Sequence, residues 1–493
     1  MTSLWLAGTE EPTDDPWAPG LGVQDAVIGA GLTGLVTAVL LARAGRRVAV
    51  IEARYPGAVA TGNTTAKLSL LQGSHLSVLR RYHSAETARA YVAANKAGQE
   101  WLLQYCTTRD VAVQRRPAYS YATTPGGAGT LRRELDHSRE AGLATEWVDD
   151  LMLPFETLGG VRLADQAQFD PVEVLAALRT ELRTLGGRLH HGIRVTGVRA
   201  RRPCLVQTEA GNIRAERVVL ATGIPILDRG LYFALMEPQR SYSISFRGVS
   251  DPPTGMYLSV DQPTRSLRTA PRPDGTEQLL VGGNGHGVGR IRSELEQLED
   301  LREWSHRHFP GAQETHWWSA QDYAPVDAMP VVGAVPGTGG RVFAATGYAK
   351  WGMTNAAGAA LWLAARLLRD EVPAWAETLE RRAPGPAVVA RAGMVNGKVG
   401  VHATTGWLRA GARSRRTPAE GAGLVARSAA GPVGVSTVDG VTCAVSAVCP
   451  HLGGVVTWND AEKSWDCPLH GSRFAPDGSV LEGPATSPLK SRS

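Results

Sequence analysis

The chain has 493 residues, too many for a single hydrophobic core, so its length predicts two to four domains. Hydrophobic residues make up 43% of it and charged residues 20%, as in an ordinary soluble globular protein. The net charge of +5 is not gathered on one helix or stripe. Eight Lys and Arg residues and no acids lie in 381–416, and a basic connector of this kind is usually solvated. The composition therefore argues against a nucleic-acid partner.

The N-terminal segment 1–20 is acidic and rich in proline, without the basic start and apolar core of a signal peptide. No apolar run reaches the ~18 residues that a membrane span needs. Three of the five cysteines are Cys106, Cys204 and Cys443, and their spacing does not indicate a framework of disulfides. These features together predict a cytoplasmic protein without a membrane span.

The strongest fold signal is a βαβ pattern near the N-terminus. A short apolar strand, Ala26 to Ile28, runs into Gly29-x-Gly31-x-x-Gly34, a helical pattern up to Gly45, and a second strand that ends at Glu52. This is the fingerprint of a dinucleotide site, with the pyrophosphate at the helix N-terminus and the acid near the ribose. The predicted cofactor contacts are Gly29, Gly31, Leu32, Thr33, Gly34, Glu52 and Ala53.

Two further stretches distinguish FAD from NAD(P)H. An apolar strand ends in Ala221-Thr222-Gly223, which resembles the second FAD motif of flavoproteins with two dinucleotide folds. The glycine-rich run 281–287 lacks a following helix, so we interpret it as a strand entering a turn rather than a nicotinamide site. The small and hydroxylated loop 61–67 could wrap a cofactor, with Thr64 and Thr65 donating to phosphate and Lys67 offsetting its charge. An ordinary Gly/Thr loop is the alternative.

Together with this loop, segments 168–195, 321–333 and 345–354 resemble the D-amino-acid-oxidase-like family of FAD oxidoreductases, which includes glycine, sarcosine and γ-glutamylputrescine oxidases. The resemblance implies that Val195 contacts the adenine. It also implies that a loop at the start of an apolar helix meets the pyrimidine end of the flavin and stabilises negative charge there. The cofactor residues that it adds are Thr222, Gly223, Gly347, Gly352, Met353 and Thr354.

Near the C-terminus, Cys449-x-His451 and Cys467-x-x-His470 are separated by 15 residues. Each loop supplies one thiolate and one imidazole, the ligand set of a Rieske [2Fe–2S] cluster. A Cys₂His₂ zinc site is the alternative. The loops resemble the Rieske family also in the tails 471–474 and 483–485. Many Rieske loops carry a bracing disulfide, but its positions here are Gly454 and Leu469, which cannot form one.

The predicted fold is an α/β FAD-binding domain, Rossmann-like and of the glutathione-reductase/D-amino-acid-oxidase type, with an antiparallel-sheet substrate domain and a small all-β Rieske domain. An N-terminal extension, 1–20, precedes the FAD-dependent module, 21–380. Its FAD-binding parts are about 21–80, 160–235 and 320–370, and its substrate parts about 81–159 and 236–319. A linker, 381–417, leads to the Rieske domain, 418–493.

The combination predicts an oxidoreductase that oxidises the C–N bond of an amine or amino-acid-like substrate, with electrons relayed between FAD and the cluster and an external acceptor or donor as partner. The catalytic candidates are Lys350, Tyr348 and His286, and Tyr242, Arg268 and Trp351 are candidates for shaping the pocket. Two alternatives stay open: an electron-transfer flavo-iron-sulfur protein that serves a protein partner, and a specialised-metabolism flavoenzyme with a non-amine substrate. An oxygenase would need an iron site. The nearest match, 303–308, is better interpreted as an exposed helix end.

Overall fold

A computed structural model describes residues 2–9, 14–272, 275–381, 385–411, 417–429 and 431–492. In chain order the helices are α1 Leu32–Arg43, α2 His75–Leu79, α3 Ala85–Thr108, α4 Pro125–Glu140, α5 Pro171–Thr184, α6 Glu294–His308, α7 Gly352–Leu368, α8 Ala374–Glu380 and α9 Pro386–Gly411. The strands are β1 Gly22–Ile28, β2 Val48–Ile51, β3 Lys67–Leu68, β4 Val113–Tyr121, β5 Glu146–Val148, β6 Gly160–Phe169, β7 Arg188–His190, β8 Val195–Arg199, β9 Cys204–Thr208, β10 Ile213–Leu220, β11 Met236–Arg247, β12 Met256–Ser259, β13 Arg265–Pro271, β14 Glu277–Gly287, β15 Gln313–Pro325, β16 Val331–Ala334, β17 Val342–Thr346, β18 Gly423–Ser428, β19 Gly431–Val438, β20 Val441–Ser446, β21 Thr457–Asn459, β22 Ser464–Asp466, β23 Arg473–Phe474 and β24 Val480–Glu482.

The first sheet has the strand order β16-β17-β10-β1-β2-β7, and β8 and β9 extend it from β10. Strand β1 pairs in parallel with β2 and with β10, so both predicted cofactor strands lie at its centre. Alternate residues of β1 face opposite sides, as a strand requires. Val27 packs with helices α1, α5 and α7, whereas Ala26 and Ile28 pack with β8 and β9.

The second sheet has the order β15-β11-β14-β13-β12-β4-β6-β3, with β5 beside β6. Most of its pairs are antiparallel, and β12 runs parallel to β4. The glycine-rich run 281–287 forms part of β14 in the middle of this sheet, as interpreted from the sequence. The segment 303–308 is the C-terminal end of helix α6. The predicted, mostly antiparallel second sheet is therefore confirmed, and we call it the substrate sheet.

The C-terminal domain consists of two small sheets, β18-β19-β20 and β21-β22-β23-β24. Asp439 and Gly440 join β19 to β20 with positive φ angles of 52° and 75°, which is the backbone of a tight hairpin turn. The ligand motifs lie just before β21 and between β22 and β23.

Most of the predicted linker 381–417 is helical: α9 spans 26 residues. Its glycines argue against a helix, because each weakens a helix interior by roughly 1 kcal/mol relative to Ala. Tertiary contacts offset that cost. Val395 is buried against Val326, and the Trp407 indole donates to the carbonyl of Gly453 at 3.1 Å. Residues 382–384 and 412–416 of this linker lie outside the described residues.

None of the helices that the structure describes combines the length and the apolar character needed to span a bilayer.

Candidate functional site

One large cavity, of about 400 Å³, begins where β1 and β10 end and extends to the substrate sheet. Most of the residues predicted to contact the cofactor line it, and they come from six separate stretches of chain. They are Gly29, Gly31, Leu32, Thr33, Glu52, Ala53, Thr64, Thr65, Lys67, Val195, Thr222, Gly223, Gly347, Gly352 and Met353. A cavity at the carboxyl ends of parallel strands is where this class of sheet binds ligands.

The turn from Gly29 to Gly34, which we call the glycine turn, leaves no room for side chains at its first and last residues. Gly29 has a φ of 106°, and a Cβ there would overlap the carbonyl group of Ala221. A Cβ at Gly34 would overlap the carbonyl oxygen of Gly29. Gly34, a predicted cofactor contact, does not line the cavity and instead lets α1 pack closely on the turn. Helix α1 therefore points its N-terminus into the cavity, where its free N–H groups favour an anion.

Glu52 lies at the end of β2 and braces this turn. Its Oε2 accepts from the backbone N–H of Ala30 at 2.8 Å, and its Oε1 accepts from that of Arg54 at 2.9 Å. Each carboxylate oxygen has a second lone pair. Glu52 thus has acceptor capacity for a ribose hydroxyl while its position is fixed by the backbone.

Lys67 lines the cavity but points away from the glycine turn. Its ammonium donates to the carbonyl of Tyr257 and the hydroxyl of Ser266, both at 2.6 Å. Strand β3, which carries it, is part of the substrate sheet, and this directs the side chain toward that sheet. Burial lowers the pKa of Lys67 well below its usual value. These contacts differ from the predicted interaction with phosphate.

Two other predicted residues lie off the cavity wall. The hydroxyl of Thr354 donates to Asn95 at 2.6 Å, within a buried polar network between α3 and α7. The ring of His286 contacts the hydroxyl of Tyr242 at 3.2 Å and the carbonyl of Gly287 at 3.1 Å. Tyr242 lines the cavity and His286 does not, so His286 can act there only through Tyr242.

Lys350 and Tyr348 line the cavity, as does Trp351. The Tyr348 hydroxyl lies 3.0 Å from Thr33 Oγ1 on helix α1. Lys350 has a φ of 73°, its backbone N–H donates to Asp322, and its ammonium lies close to Gly285. Burial lowers the pKa of the Lys350 amine and raises the pKa of Asp322 to about 6. This corner of the cavity therefore disfavours isolated charges of either sign.

Arg268, a candidate for shaping the pocket, is instead buried outside it. Its guanidinium donates to the carbonyls of Thr65 and Ala66, at 2.8 and 3.1 Å. Burial lowers the pKa of Arg268 to about 9. Arg268 supports the loop from behind rather than facing the cavity.

The cluster ligands form one pair of cysteines and one pair of histidines. The thiols of Cys449 and Cys467 are hydrogen-bonded to each other, and the rings of His451 and His470 have centroids 5.1 Å apart. A Rieske cluster needs this grouping, because one iron takes both thiolates and the other takes both imidazoles. A zinc ion would instead draw the four side chains around one point.

The ring nitrogens of the histidines also fit a cluster. His451 Nε2 lies 2.9 Å from Asp228 Oδ1, which leaves its Nδ1 for a metal. His470 Nδ1 is a buried atom with no hydrogen-bond partner among the described residues. Burial lowers the pKa of His470 to about 4, so its ring is neutral, as a metal ligand must be.

The surroundings favour the thiolate form of Cys449, whereas the hydrogen bond to Cys449 and burial raise the pKa of Cys467. The pKa of Cys449 is lowered first by the hydrogen bond from Cys467, and also by the backbone N–H groups of His451 and Leu452 and the hydroxyl of Ser472. A Cβ on Gly454 would come within 2.6 Å of Leu469 Cδ1. Leu469 therefore packs directly on Gly454.

The histidine pair faces the flavoprotein module. The ring of Phe233 meets both imidazoles edge-on, at 5.1 Å from His451 and 4.8 Å from His470. The side chains of these histidines are only 6% and 4% exposed. Asp228 and Phe233, which cover them, belong to the stretch between β10 and β11. No pattern in the sequence indicates this docking, because the contacts join residues more than 200 positions apart.

The docked domain also adds to the cavity. Its residues Leu481, Glu482, Gly483, Ala485 and Thr486 line the same cavity as the glycine turn. Buried ion pairs hold the two modules together: Arg240 contacts Glu462 and Glu482, at 2.9 and 3.2 Å. Arg473 contacts the same two carboxylates and Asp466. Sequence reasoning missed these residues, since isolated charges in strands are usually solvated.

Comparison with known proteins agrees with this architecture. A family model described as FAD dependent oxidoreductase (DAO) matches residues 26–366, and one described as Rieske [2Fe-2S] domain matches 413–493. The putative Rieske 2Fe-2S iron-sulfur protein YhfW of Bacillus subtilis is 29% identical over 495 residues, covering 99% of this chain and 97% of that protein. The cytochrome b6-f complex iron-sulfur subunit 3 of Nostoc is 57% identical over 42 residues, covering 8% of this chain and 24% of that protein.

Solved structures share the fold of the first module. Glycine oxidase from Geobacillus kaustophilus has a TM-score of 0.60 at 19% identity and covers 71% of this chain and 96% of its own. L-amino acid deaminase from Proteus vulgaris has a TM-score of 0.60 at 15% identity, with 74% and 97% covered.

The fold and the two sites define an oxidoreductase with a flavin module and an iron–sulfur module. The chain belongs to the DAO family of FAD-dependent oxidoreductases and carries a Rieske [2Fe–2S] domain at its C-terminal end. FAD and a [2Fe–2S] cluster are its cofactors, which confirms the predicted cofactors and fold class.

Proposed function

We propose that FAD occupies the cavity at the glycine turn, that a small amine or amino acid is oxidised there at its C–N bond, and that the electrons leave through the cluster of the same chain. One observation carries this proposal: residues 481–483, 485 and 486 of the Rieske domain form part of the cavity wall. The cluster domain is thus a component of the proposed active site.

A short route of hydrogen bonds supports the electron relay. Gln321 and Tyr323 line the cavity. The Gln321 amide donates to the carbonyl of Gly471 at 2.8 Å, and Gly471 directly follows the ligand His470. The Tyr323 hydroxyl donates to the carbonyl of Gly483 at 3.2 Å. The cavity wall and one ligand loop are therefore in direct contact, without intervening solvent.

Bound FAD supplies two-electron hydride chemistry, and the cluster supplies one-electron transfer. The substrate carbon beside nitrogen would lose a hydride, and the nitrogen lone pair would form the new C=N bond. The two electrons would then leave singly to an external one-electron acceptor. Burial lowers the pKa of Lys67 and of Lys350, so this cavity favours a neutral amine over an ammonium ion. Only the neutral amine has the free lone pair that hydride loss requires.

The proposed substrate class is based on the fold, which this chain shares with glycine oxidase and L-amino acid deaminase. Ser241, Ser243 and Ser266 add hydroxyl groups on the wall formed by the substrate sheet, where a small polar substrate could be held.

An anaerobic screen of amines and amino acids tests the proposal. A substrate should bleach the flavin absorbance, and the EPR signal of the reduced cluster should then appear. The His451→Ala variant is the matched control, because it lacks a cluster ligand but keeps the residues of the cavity. It should bleach and give no EPR signal. Flavin that is bleached by substrate in the wild-type protein without any cluster reduction would refute the relay, and a screen without bleaching would refute the substrate class.

A further inference from the structure

We propose that the N-terminal segment is a cofactor clamp: Ser3 and Trp5, together with Trp318 and Arg268, hold the loop 61–67 in the shape that binds FAD. The inference rests on the placement of FAD proposed above. It gives a function to a part of the chain that precedes the dinucleotide fold and that the sequence marked only as an extension.

The carbonyl groups of the loop carry the proposal. Five consecutive carbonyl oxygens, from Gly62 to Ala66, each accept a hydrogen bond from a side chain outside the loop. The donors and distances are Ser3 Oγ to Gly62 at 2.5 Å, Trp318 Nε1 to Asn63 at 2.9 Å, Trp5 Nε1 to Thr64 at 2.7 Å, and Arg268 Nη1 to Thr65 at 2.8 Å and to Ala66 at 3.1 Å. A surface loop whose carbonyls met only water would show no such set of partners.

The donors lie behind the loop. Ser3, Trp5, Trp318 and Arg268 are outside the cavity wall, whereas Thr64 and Thr65 line it. The carbonyl oxygens are thus turned away from the cavity. Carbonyl oxygens that faced the cavity would repel the phosphates of FAD, and N–H and O–H donors attract them. Holding the carbonyls from behind therefore leaves the donors of the loop for the cofactor.

The clamp is firmly anchored. Leu4 and Trp5 are 1% and 3% exposed and pack with Trp318 in one apolar cluster of the substrate sheet. The guanidinium of Arg268 lies 5.3 Å from the centre of the Trp5 ring. A buried indole N–H needs an acceptor, and the carbonyl of Thr64 is the one that Trp5 has. Segment and loop therefore stabilise each other.

The Trp5→Phe variant tests the clamp, because phenylalanine keeps an aromatic ring but cannot donate to Thr64. Its FAD dissociation constant should rise about tenfold, which corresponds to about 1.4 kcal/mol. Trp17→Phe is the matched control: it also removes an indole donor from the N-terminal segment, but that donor bonds the carbonyl of Ala210, away from the cavity. Its FAD affinity should stay within twofold of wild type. Ser3→Ala should weaken binding a few-fold.

The measurement is a titration of FAD-free protein, which retains its cluster, with FAD, followed by flavin fluorescence. Glu52→Ala reports separately on where FAD lies and should also bind more weakly. If Trp5→Phe binds FAD like Trp17→Phe while Glu52→Ala is weakened, the clamp is wrong and the FAD site stands. If Glu52→Ala also binds normally, both are wrong. A Trp5→Phe protein with a lowered melting temperature but unchanged FAD affinity would show a merely structural contact and overturn the clamp.

Discussion

Among the side chains at the junction of the two modules, Arg240 should be the one whose substitution lowers stability most. It is 1% exposed, and its guanidinium contacts both carboxylate oxygens of Glu462, at 2.9 and 3.1 Å, and one oxygen of Glu482 at 3.2 Å. It also donates to the side chain of Gln321 at 3.3 Å. We predict that Arg240→Met weakens the contact between the two modules and so lowers the free energy of unfolding. The cluster ligands and the glycine turn should stay in place.

The magnitude follows from burial. Removing one partner of a buried ion pair costs about 3–5 kcal/mol, because the remaining charge stays buried without compensation. Here Arg473 still contacts Glu462 and Glu482, at 2.6 and 2.9 Å, and shares the uncompensated charge. We therefore expect a loss near the lower limit, about 3 kcal/mol. Arg240→Met combined with Glu462→Gln should recover most of it, since the double variant removes both charges of the pair.

Urea unfolding measures this, with cluster absorbance and FAD fluorescence followed as separate reports on the two modules. Arg247→Met is the control. Arg247 lies on the same strand, is exposed, and outside the strand pairing bonds only the side chain of Gln313, at 3.1 Å, among the residues that the structure describes. Its substitution should change the free energy of unfolding by less than about 0.5 kcal/mol. Equal effects of the two variants, or no recovery in the double variant, would refute the reasoning.

Two further predictions concern the cluster loops and the dependence of stability on pH. Gly454→Ala should lose most of the cluster, because its Cβ would come within 2.6 Å of Leu469 Cδ1 and 3.1 Å of Cys467 Sγ, and adding Leu469→Ala should restore it. Iron content and EPR measure this, and a single variant with full iron would contradict the tight packing. Burial, with the nearby Asp466 and Asp460 carboxylates, raises the pKa of Glu294 from 4.5 to about 8. The folded state thus holds a proton on Glu294 that the unfolded state releases. The free energy of unfolding therefore falls by about 1.4 kcal/mol per pH unit as the pH rises from about 5 to about 8. The melting temperature of Glu294→Gln should therefore exceed that of wild type by an amount that grows across that range. A difference that is constant with pH would contradict the raised pKa of Glu294.

The elements near the glycine turn could be predicted almost completely. Strand β1, helix α1 and strand β2 follow from apolar periodicity and glycine positions. The cluster ligands could also be predicted, because Cys449, His451, Cys467 and His470 all lie within one stretch of 22 residues. Lys67 was harder: the loop composition placed it at the cavity, but pairing of β3 in the substrate sheet decided where its ammonium points.

Helix α9 shows where local signals mislead. Glycine and arginine content predicts an irregular connector, yet buried contacts such as that of Val395 stabilise a helix of 26 residues. Propensities sum small local free energies, and tertiary burial of one face outweighs them.

By itself the sequence determined the two cofactors and predicted which residues would hold them, because each motif needs particular residues at short spacing: glycines where a Cβ would overlap the backbone, and thiols with imidazoles where iron requires them. Only the tertiary structure decided how these sites are combined. His451 meets Asp228, Gln321 meets Gly471, and Trp5 meets Thr64 across large separations in the chain. Such contacts arise when domains dock and bury their surfaces, and no periodicity in the sequence encodes them.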